Sequence, residues 1–550
     1  MVFVRAFGHT LSMQSRAIEG IAMPKQSFLQ GAVVMAAAGV ATKAMAMTIQ
    51  IVIARQLGAQ GFGLFQTINP LFFFLLTIST FALPPALSKV IAENLALGRY
   101  GKARRAWRIA NVTVLILSTS VCIAALAIAP DIGRHWLDAR AIPAFIGAMF
   151  RIPVVCLSSV MAGYYMGIQN QTPPAAAWVV ETAVRTAATI PLVIWLNHYG
   201  IAYGALGIMM GAGLGETAGY LFMLWKYIRR DRHALTPRDG RLPSSTVGKA
   251  DGVVRDLAAV AAPTTMTNVI GIVAFAAEPA VMYAAFAASG IVKTSATTLY
   301  GAFAMAIELL FLPTVLSSAI SSVVIPAVSE AAALRDERLV TRRLNQAVQA
   351  TAFIAFPAMM FFMLAGHDAA LTIYRDHLAG ELLAYLAPTC AFLYVLDPLS
   401  AVLQGLNKAA VSTFISVVTS SIRIAGIYYF VAIAHDGIYG VATAVAISGI
   451  VSCMLSILCV RRYVTLWINF TNIGKMLIAA AAASIPIHEI QHAFRFATPW
   501  LQVACSGIVG ILVYFIVAVY LRIARPEQIV KIPFIGPLLA YAMGRMPFLT

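Results

Sequence analysis

The feature that most constrains this chain is a series of apolar stretches, each about 20 residues long, that recur from one end to the other. A helix of ~20 apolar residues crosses the hydrocarbon core of a bilayer, and only helices and closed barrels satisfy their backbone polar groups there. Fourteen such spans lie near residues 28–54, 64–90, 106–130, 142–166, 174–196, 204–226, 254–285, 297–327, 344–365, 381–404, 410–433, 439–460, 473–490 and 498–521. The sequence therefore predicts an all-α polytopic membrane protein.

The charged residues indicate how the chain is oriented. They make up only 11% of it, against roughly 25% in soluble domains. A formal net charge of +17 could indicate a protein that binds nucleic acid. However, the N-terminal arm, every second loop and the C-terminal tail together hold 27 Lys and Arg, whereas the loops predicted on the other side of the membrane hold 6. Cytoplasmic loops carry such an excess. We predict a multi-pass protein of the cytoplasmic (inner) membrane with both termini inside and with membrane lipids, not nucleic acid, as partners.

Two stretches of the chain share one design. Gly167 to Arg185 (GIQNQTPPAAAWVVETAVR) and Gly405 to Arg423 (GLNKAAVSTFISVVTSSIR) each contain a glycine, an Asn-bearing turn, an apolar run and an arginine, at an offset of 238 positions. A weaker match, which we call the PAxS echo, relates PALS at 85–88 to PAVS at 326–329. These repeats predict two parallel six-helix lobes around a central cavity, followed by two C-terminal helices.

A polar, basic and turn-rich break at 229–252 divides the spans into six and eight. We predict a cytoplasmic arm (1–27), an N-lobe (28–228), a basic cytoplasmic linker (229–252), a C-lobe (253–466), two further spans (467–522) and a cytoplasmic tail (523–550). Either Met1 or Met23 is a candidate start of the chain.

Cations inside the spans are the first candidates for a binding site. An arginine at the centre of a span costs at least ~2.5–3.5 kcal/mol, so the repeated Arg185 and Arg423 predict a function. A planar guanidinium suits bidentate binding of phosphate oxygens. Lys43 and Arg151 could line the same cavity, whereas Arg55, at the outer end of the first span, either snorkels to the interface or acts as a gate.

Acidic residues inside the spans are open to two interpretations. Glu181 lies four positions before Arg185, on the same helix face, and can neutralise it. Position 419 of the second repeat is threonine, so Arg423 lacks this local partner. Further acidic residues in spans are Glu216, Glu278, Glu308 and Asp397. They either pair with the arginines or bind a coupling H⁺ or Na⁺, and we expect no other cofactor.

Enzyme motifs are weak in this chain. His488, Glu489 and His492 match the zinc-hydrolase pattern HExxH. Downstream there is no further histidine, and Glu527 is the only acidic residue there. We therefore predict no metal site. A GxxxxGK[ST] phosphate loop is absent from the sequence, and the loops predicted to be outside are short, so we predict a transporter that is neither driven directly by ATP nor an enzyme.

Several stretches resemble a known family, namely SFLQGAVVMAAAG, IARQLGAQGFGLFQ, PLFFFLLTISTFALPPALSKVIAENLALGRYGKARR and GYYMGIQNQTPPA. They are similar to the stage V sporulation protein B type of polysaccharide-export proteins. That family belongs to the superfamily of lipid II flippases, O-antigen flippases and multidrug and toxin extruders. The resemblance implies fourteen helices in two lobes whose cavity opens alternately to each side, moving undecaprenyl-pyrophosphate-linked sugars outward.

One departure from the related lipid II flippases bears on the cargo. Those proteins carry an Arg-Asp pair upstream of an Ala-Arg in the first span; the matching places here are Ile49 and Gln50, before Ala54 and Arg55. Arg55 is thus the matching first-span arginine, and the missing pair argues against lipid II as the cargo.

The leading hypothesis is a flippase for undecaprenyl-pyrophosphate-linked oligosaccharide, a polysaccharide or peptidoglycan precursor, with glycan polymerases or synthases as candidate partners. An ion-coupled multidrug exporter and a non-transporting scaffold for envelope assembly are the alternatives. The sequence leaves the glycan, the driving ion and the oligomeric state open.

Overall fold

The computed structural model describes residues 28–235, 251–465, 470–492 and 498–523. The predicted arm at 1–27, with both candidate starts, lies outside the described residues, as do most of the linker and the tail from residue 524.

Every long element in these ranges is a helix. The first half contains α1 (Phe28–Thr80), α2 (Leu83–Ala96), α3 (Tyr100–Asp131), α4 (Ile142–Gly167), α5 (Thr172–Asn197) and α6 (Ile201–Lys226). The second half contains α7 (Asp251–Ala288), α8 (Lys293–Leu310), α9 (Thr314–Ala333), α10 (Glu337–Tyr374), α11 (His377–Leu386), α12 (Cys390–Gly405), α13 (Ala409–Tyr428) and α14 (Gly437–Arg461). Two C-terminal helices follow, α15 (Phe470–His492) and α16 (Pro499–Tyr520). Within these ranges, twelve helical stretches are long and apolar enough to cross a membrane, and the predicted all-α membrane fold is confirmed.

Some spans are joined or broken in ways that the apolar pattern did not predict. The first two spans form the single helix α1, which kinks at Gly58 (φ 62°, ψ −172°) without a loop. Glycine adopts this left-handed φ without a Cβ penalty. The second span breaks at Phe81 and Ala82, whose φ angles are also positive, and α2 begins directly after this break with two prolines in its first turn.

The repeated glycines build the same turn in both halves. The residue two positions after each glycine, Gln169 in one half and Asn407 in the other, has φ 59°. A Cβ on Gly167 would lie 2.8 Å from Ile91 Cβ in α2, and one on Gly405 would lie 3.0 Å from the Ile325 carbonyl oxygen in α9. Each turn therefore packs against the helix that carries the PAxS echo.

Helix α7 links the cores of the two halves. Val253, Leu257 and Ala261, near its start, belong to the same hydrophobic core as α2 to α6. Tyr283 and Phe286, near its end, belong to a core built mainly from the second half. The hydrophobic core of the first half thus extends past residue 253, where the composition break predicts the C-lobe to begin.

The two halves also meet at the predicted outer end, where α1 crosses α8. A Cβ on Gly301 would lie 1.7 Å from the Ala59 carbonyl oxygen, and one on Gly63 would lie 2.1 Å from the Thr297 carbonyl oxygen. Small residues allow helix backbones to approach this closely. We call the contact made by Ala59, Gly63, Thr297 and Gly301 the outer contact.

A polar loop reinforces the outer contact. Thr297 Oγ1 donates a hydrogen bond to Asp138 Oδ2 at 2.9 Å, and Lys293 Nζ donates to the Leu137 carbonyl at 3.1 Å. Burial alone would raise the pKa of the Asp138 carboxyl, but hydrogen bonds from Arg140 and Thr297 hold that pKa below its ordinary value. The segment between α3 and α4 is thereby attached to the second half.

Candidate functional site

A network of charged side chains joins three helices of the first half. Arg151 on α4 binds Glu216 on α6 through two hydrogen bonds, Nη2 to Oε1 at 2.6 Å and Nε to Oε2 at 3.1 Å. Its Nη1 lies 3.0 Å from Met209 Sδ, and its Cζ lies 4.6 Å from the centre of the Phe72 ring. The side chains of Arg151 and Glu216 are only 10% and 9% exposed, so this bidentate pair leaves the guanidinium few free donors.

Arg185 joins the same network. It forms an ion pair with Glu181 on its own helix, as the sequence predicts, and its Nη2 lies 3.5 Å from Glu216 Oε1. Two arginines therefore face two carboxylates, and the network has no net formal charge. Glu181 and Glu216 also line a small cavity of about 210 Å³ with Ser158, Ser159 and Trp178.

Four glycines that hold this network in place were not predicted from the sequence. Gly207, Gly211, Gly215 and Gly219 recur every fourth residue on one face of α6. A Cβ on Gly215 would lie 2.6 Å from the Glu181 carbonyl oxygen, and one on Gly211 would lie 2.2 Å from Thr189 Oγ1. The spacing of small residues four apart was a readable signal that α6 packs closely on α5.

The arginine of the second half has a different environment. Arg423 on α13 approaches Glu278 on α7 at 3.5 Å, from Nε to Oε2, and its Nη2 donates a long bond of 3.4 Å to Ser420 Oγ. The Nε atom is buried and has no hydrogen-bond partner in the described part of the chain. Glu278 is 8% exposed. Arg423 thus keeps hydrogen-bonding capacity that Arg151 has used.

Arg423 and Glu278 line a cavity of about 430 Å³ between the two halves. Helix α1 of the first half contributes Gln66 and Asn69, whose side chains are joined by a hydrogen bond of 2.6 Å. The other polar residues in the wall are Tyr300, Glu308, Thr419, Ser448 and Ser452. The wall thus combines hydroxyls and amides with two carboxylates and one arginine.

Two predicted acidic residues lie in different places. Glu308 on α8 lines the cavity and accepts a hydrogen bond from Gln50 Nε2 on α1 at 2.9 Å. Asp397 on α12 accepts from Ser318 Oγ on α9 at 3.1 Å and does not line this cavity. Neither carboxylate has an ion pair among the residues that the structure describes.

The two remaining predicted cations are also separate from the cavity wall. Arg55 is exposed at the predicted outer end and donates from Nε to the Ile373 carbonyl at 2.8 Å and from Nη2 to the Thr372 carbonyl at 2.7 Å. It therefore caps the end of α10 across the two halves. Lys43 is half-buried in α1, and no ion pair to it occurs within the described ranges.

The HExxH stretch ends α15. His488 and His492 are exposed, with ring centres 4.4 Å apart, and Glu489 is exposed as well. In the described ranges, no group of three or more His, Cys, Asp or Glu is placed to hold a metal ion.

Comparison with known proteins agrees with this architecture. A family model described as polysaccharide biosynthesis protein matches residues 28–332, and a second model with the same description matches 291–378. Stage V sporulation protein B of Bacillus subtilis is 27% identical over 94% of this chain and 100% of its own length. The lipid II flippase MurJ of the same organism is 23% identical over 71% of this chain and 75% of its own.

Solved structures share the fold. A lipid II flippase MurJ in an inward closed conformation superposes with a TM-score of 0.68 at 14% identity, over 89% of this chain and 99% of that one. An inward-facing multidrug resistance transporter of the MATE family in the MOP superfamily gives 0.62 at 16% identity, over 78% and 97%. The family resemblance read from the sequence is confirmed.

Proposed function

We propose that this chain, which belongs to the polysaccharide biosynthesis protein family, is a flippase and not an enzyme. Its cargo would be an undecaprenyl-pyrophosphate-linked oligosaccharide, moved from the cytoplasmic to the outer leaflet by alternating access. A relative named as a lipid II flippase and the shared flippase fold support a lipid-linked precursor as cargo. The protein would lie in the inner membrane with both termini inside, next to glycan polymerases or synthases.

The observation that carries this proposal is the state of Arg423. Its guanidinium lies beside a cavity of about 430 Å³, with a buried Nε that lacks a hydrogen-bond partner in the described part. A pyrophosphate presents several oxygens to such a donor set, and charge-assisted bonds of this kind are about twice as strong as neutral ones. Arg423 would therefore bind the pyrophosphate, while Gln66 and Asn69 would face the sugars.

The arginines of the first half have another role in this proposal. Arg151 and Arg185 are compensated by Glu216 and Glu181 within the first half. Breaking the buried Arg151–Glu216 pair costs ~3–5 kcal/mol, so a cargo would have to supply that energy to recruit Arg151. The Arg185–Glu181 pair is more exposed, and Arg185 Nε, like Arg423 Nε, is buried without a hydrogen-bond partner in the described part. We assign both arginines of the first half to holding α4, α5 and α6 together.

Outward release requires the outer contact to open. In the present conformation Gly63, Thr297 and Gly301 close the predicted outer end. Separation of α1 from α8 would expose the cavity to that side, and the polyprenyl tail would remain in the bilayer while the headgroup crosses. Coupling to H⁺ or Na⁺ would supply the driving force.

One observation favours a second function, the export of cationic compounds. The cavity wall contains two carboxylates, Glu278 and Glu308, and a single arginine, Arg423. Its formal charge is therefore negative when both carboxylates are ionised, which suits a cation better than an anion.

Reconstitution into liposomes tests both functions. Fluorescent undecaprenyl-pyrophosphate-linked sugars are added, and accessibility of the headgroup from each leaflet is followed for wild type, Arg423→Gln and the control Arg462→Gln, an exposed arginine at the end of α14. We expect protein-dependent crossing in wild type and control and its loss in Arg423→Gln. Equal crossing by all three would exclude the assigned role of Arg423, and efflux of a cationic dye without lipid crossing would establish the second function.

A further inference from the structure

The small cavity of about 210 Å³ in the first half is separate from the larger cavity between the halves, and the two share no lining residue. Three helices form its wall: α4 contributes Ser158 and Ser159, α5 contributes Trp178 and Glu181, and α6 contributes Glu216. All five residues lie in the half of their helix that leads to a loop predicted to be cytoplasmic. The small cavity is therefore on the side from which the proposed cargo would enter.

Polar side chains in this wall have hydrogen-bonding capacity that the protein does not use. Glu181 pairs with Arg185 through Oε1 alone, and its Oε2 accepts no hydrogen bond from the described residues. Serine hydroxyls in helices commonly bond a carbonyl of the preceding turn. Those of Ser158 and Ser159 make no hydrogen bond within the described ranges, although both line the cavity. One carboxylate oxygen and two hydroxyls thus remain available to a ligand.

The charges around the small cavity favour a neutral ligand. Its two carboxylates, Glu181 and Glu216, are balanced by Arg185 and Arg151, so a cation would add a charge beside two guanidinium groups. An anion would meet the carboxylates themselves. An ionised carboxylate only accepts hydrogen bonds, whereas a hydroxyl both donates and accepts them. A neutral molecule with several hydroxyl groups therefore matches both the charge and the donor requirement of the wall.

Trp178 adds an apolar surface next to these polar groups. It lies three positions before Glu181 on the same face of α5, and it is 44% exposed, so its ring is accessible to a ligand. A sugar ring has an apolar C–H face that packs on an aromatic ring and hydroxyl groups along its edge. The cavity volume of about 210 Å³ is below the ~300–1,000 Å³ of pockets for drug-sized ligands and suits one such ring.

We propose that the small cavity binds a single sugar unit, with its ring on Trp178 and its hydroxyl groups bonded to Glu181 Oε2, Ser158 and Ser159. Helix α6 supports this arrangement from below, since a Cβ on Gly219 would lie 3.0 Å from Glu181 Cβ. The site would select the glycan by accepting one of its sugars on the cytoplasmic side. This role rests on the proposed flippase function; the binding of a sugar itself does not.

Saturation-transfer NMR tests the site without any lipid-linked cargo. The methyl glycosides of glucose, galactose, mannose and N-acetylglucosamine are titrated onto the full-length protein in lipid nanodiscs, which contain no competing glycoside detergent. The cavity variants are Trp178→Leu and the double variant Ser158→Ala/Ser159→Ala. The matched control is Trp195→Leu, which changes an exposed tryptophan of α5 that does not line the cavity. We expect saturable binding of at least one glycoside by wild type and control, with an affinity at least several-fold weaker in both cavity variants.

Other results overturn the proposal. Wild type that binds none of these glycosides has no sugar site, and unchanged affinity in both cavity variants would place the sugar elsewhere. Binding of choline but of no glycoside, weakened in Trp178→Leu, would make the occupant a cation. If one cavity variant fails to fold, the other decides. Lipid crossing without glycoside binding would contradict this site alone, whereas glycoside binding at this site without lipid crossing would contradict only the flippase function.

Discussion

Substitution of Gly301 by alanine probes the outer contact directly. The added methyl group would lie 1.7 Å from the Ala59 carbonyl oxygen, whereas a carbon and an oxygen in contact are about 3.3–3.6 Å apart. Helices α1 and α8 would therefore have to separate by roughly 1.6–1.9 Å. Overpacking of this kind costs ~1–3 kcal/mol. A cost of this size changes the equilibrium constant between the closed and open outer end by about 5- to 150-fold. We expect Gly301→Ala to shift the population away from the closed outer end.

Distance measurements between paramagnetic labels can report this shift. Tyr199 in the α5–α6 loop and Val292 in the α7–α8 loop are 66% and 65% exposed and lie at the predicted outer end, one in each half. Labels on cysteines at these positions, in a background without the six natural cysteines, should give one short distance in the otherwise unmodified protein. Gly301→Ala should add a population at longer distance.

The matched control is Gly271→Ala in α7. A Cβ at that glycine would have no atom within 4 Å, so the same change of residue type should leave the distance distribution unaltered. If Gly301→Ala gives the distance distribution and the thermal stability of the control, then α1 and α8 do not pack closely enough at Gly301 for an added methyl group to force them apart.

Three further predictions concern buried polar groups. Glu216→Gln leaves the guanidinium of Arg151 without its bidentate partner and should destabilise the fold by ~3–5 kcal/mol, visible as a large fall in melting temperature in detergent. Asp231→Ala removes the carboxylate that accepts from the Tyr165 hydroxyl at 3.0 Å, and should cost ~1–3 kcal/mol in the same assay. The pKa of the Asp138 carboxyl is held below its ordinary value. The ionised carboxylate therefore stabilises the closed outer end fully above about pH 3.9, and this stabilisation is lost only as the pH falls through the lowered pKa. The distance between the labels should therefore be unchanged between pH 7 and pH 5.

The sequence predicted the membrane fold well because the signal for a span is local. About 20 apolar residues in succession are sufficient evidence for a crossing. The repeat at 167–185 and 405–423 revealed two related turns, which the structure builds with the same φ angle at Gln169 and Asn407. The breaks within spans were missed because they depend on backbone angles at single residues such as Phe81 and Ala82, while the apolar pattern continues through them.

The partners of the buried charges could not be read from the sequence. Glu181 and Arg185 were predictable as a pair because they are one helical turn apart. Arg151 and Glu216 are separated by 65 residues, and their pairing depends on how α4 and α6 pack. Periodicity indicates which face of a helix is apolar, but not which other helix that face meets.

The different environments of the repeated arginines follow from one position in the repeat. Where the first half has Glu181, the second has Thr419, which donates to the Ile415 carbonyl of its own helix and supplies no negative charge. Arg423 must therefore reach Glu278 on α7, and at 3.5 Å the contact is looser than the bidentate pair of Arg151. A carboxylate on the same helix compensates its arginine in every conformation of the protein, whereas one on α7 does so only while α7 and α13 keep this arrangement. Loss of the local acid thus turns a structural charge pair into one that a ligand or a helix movement can open.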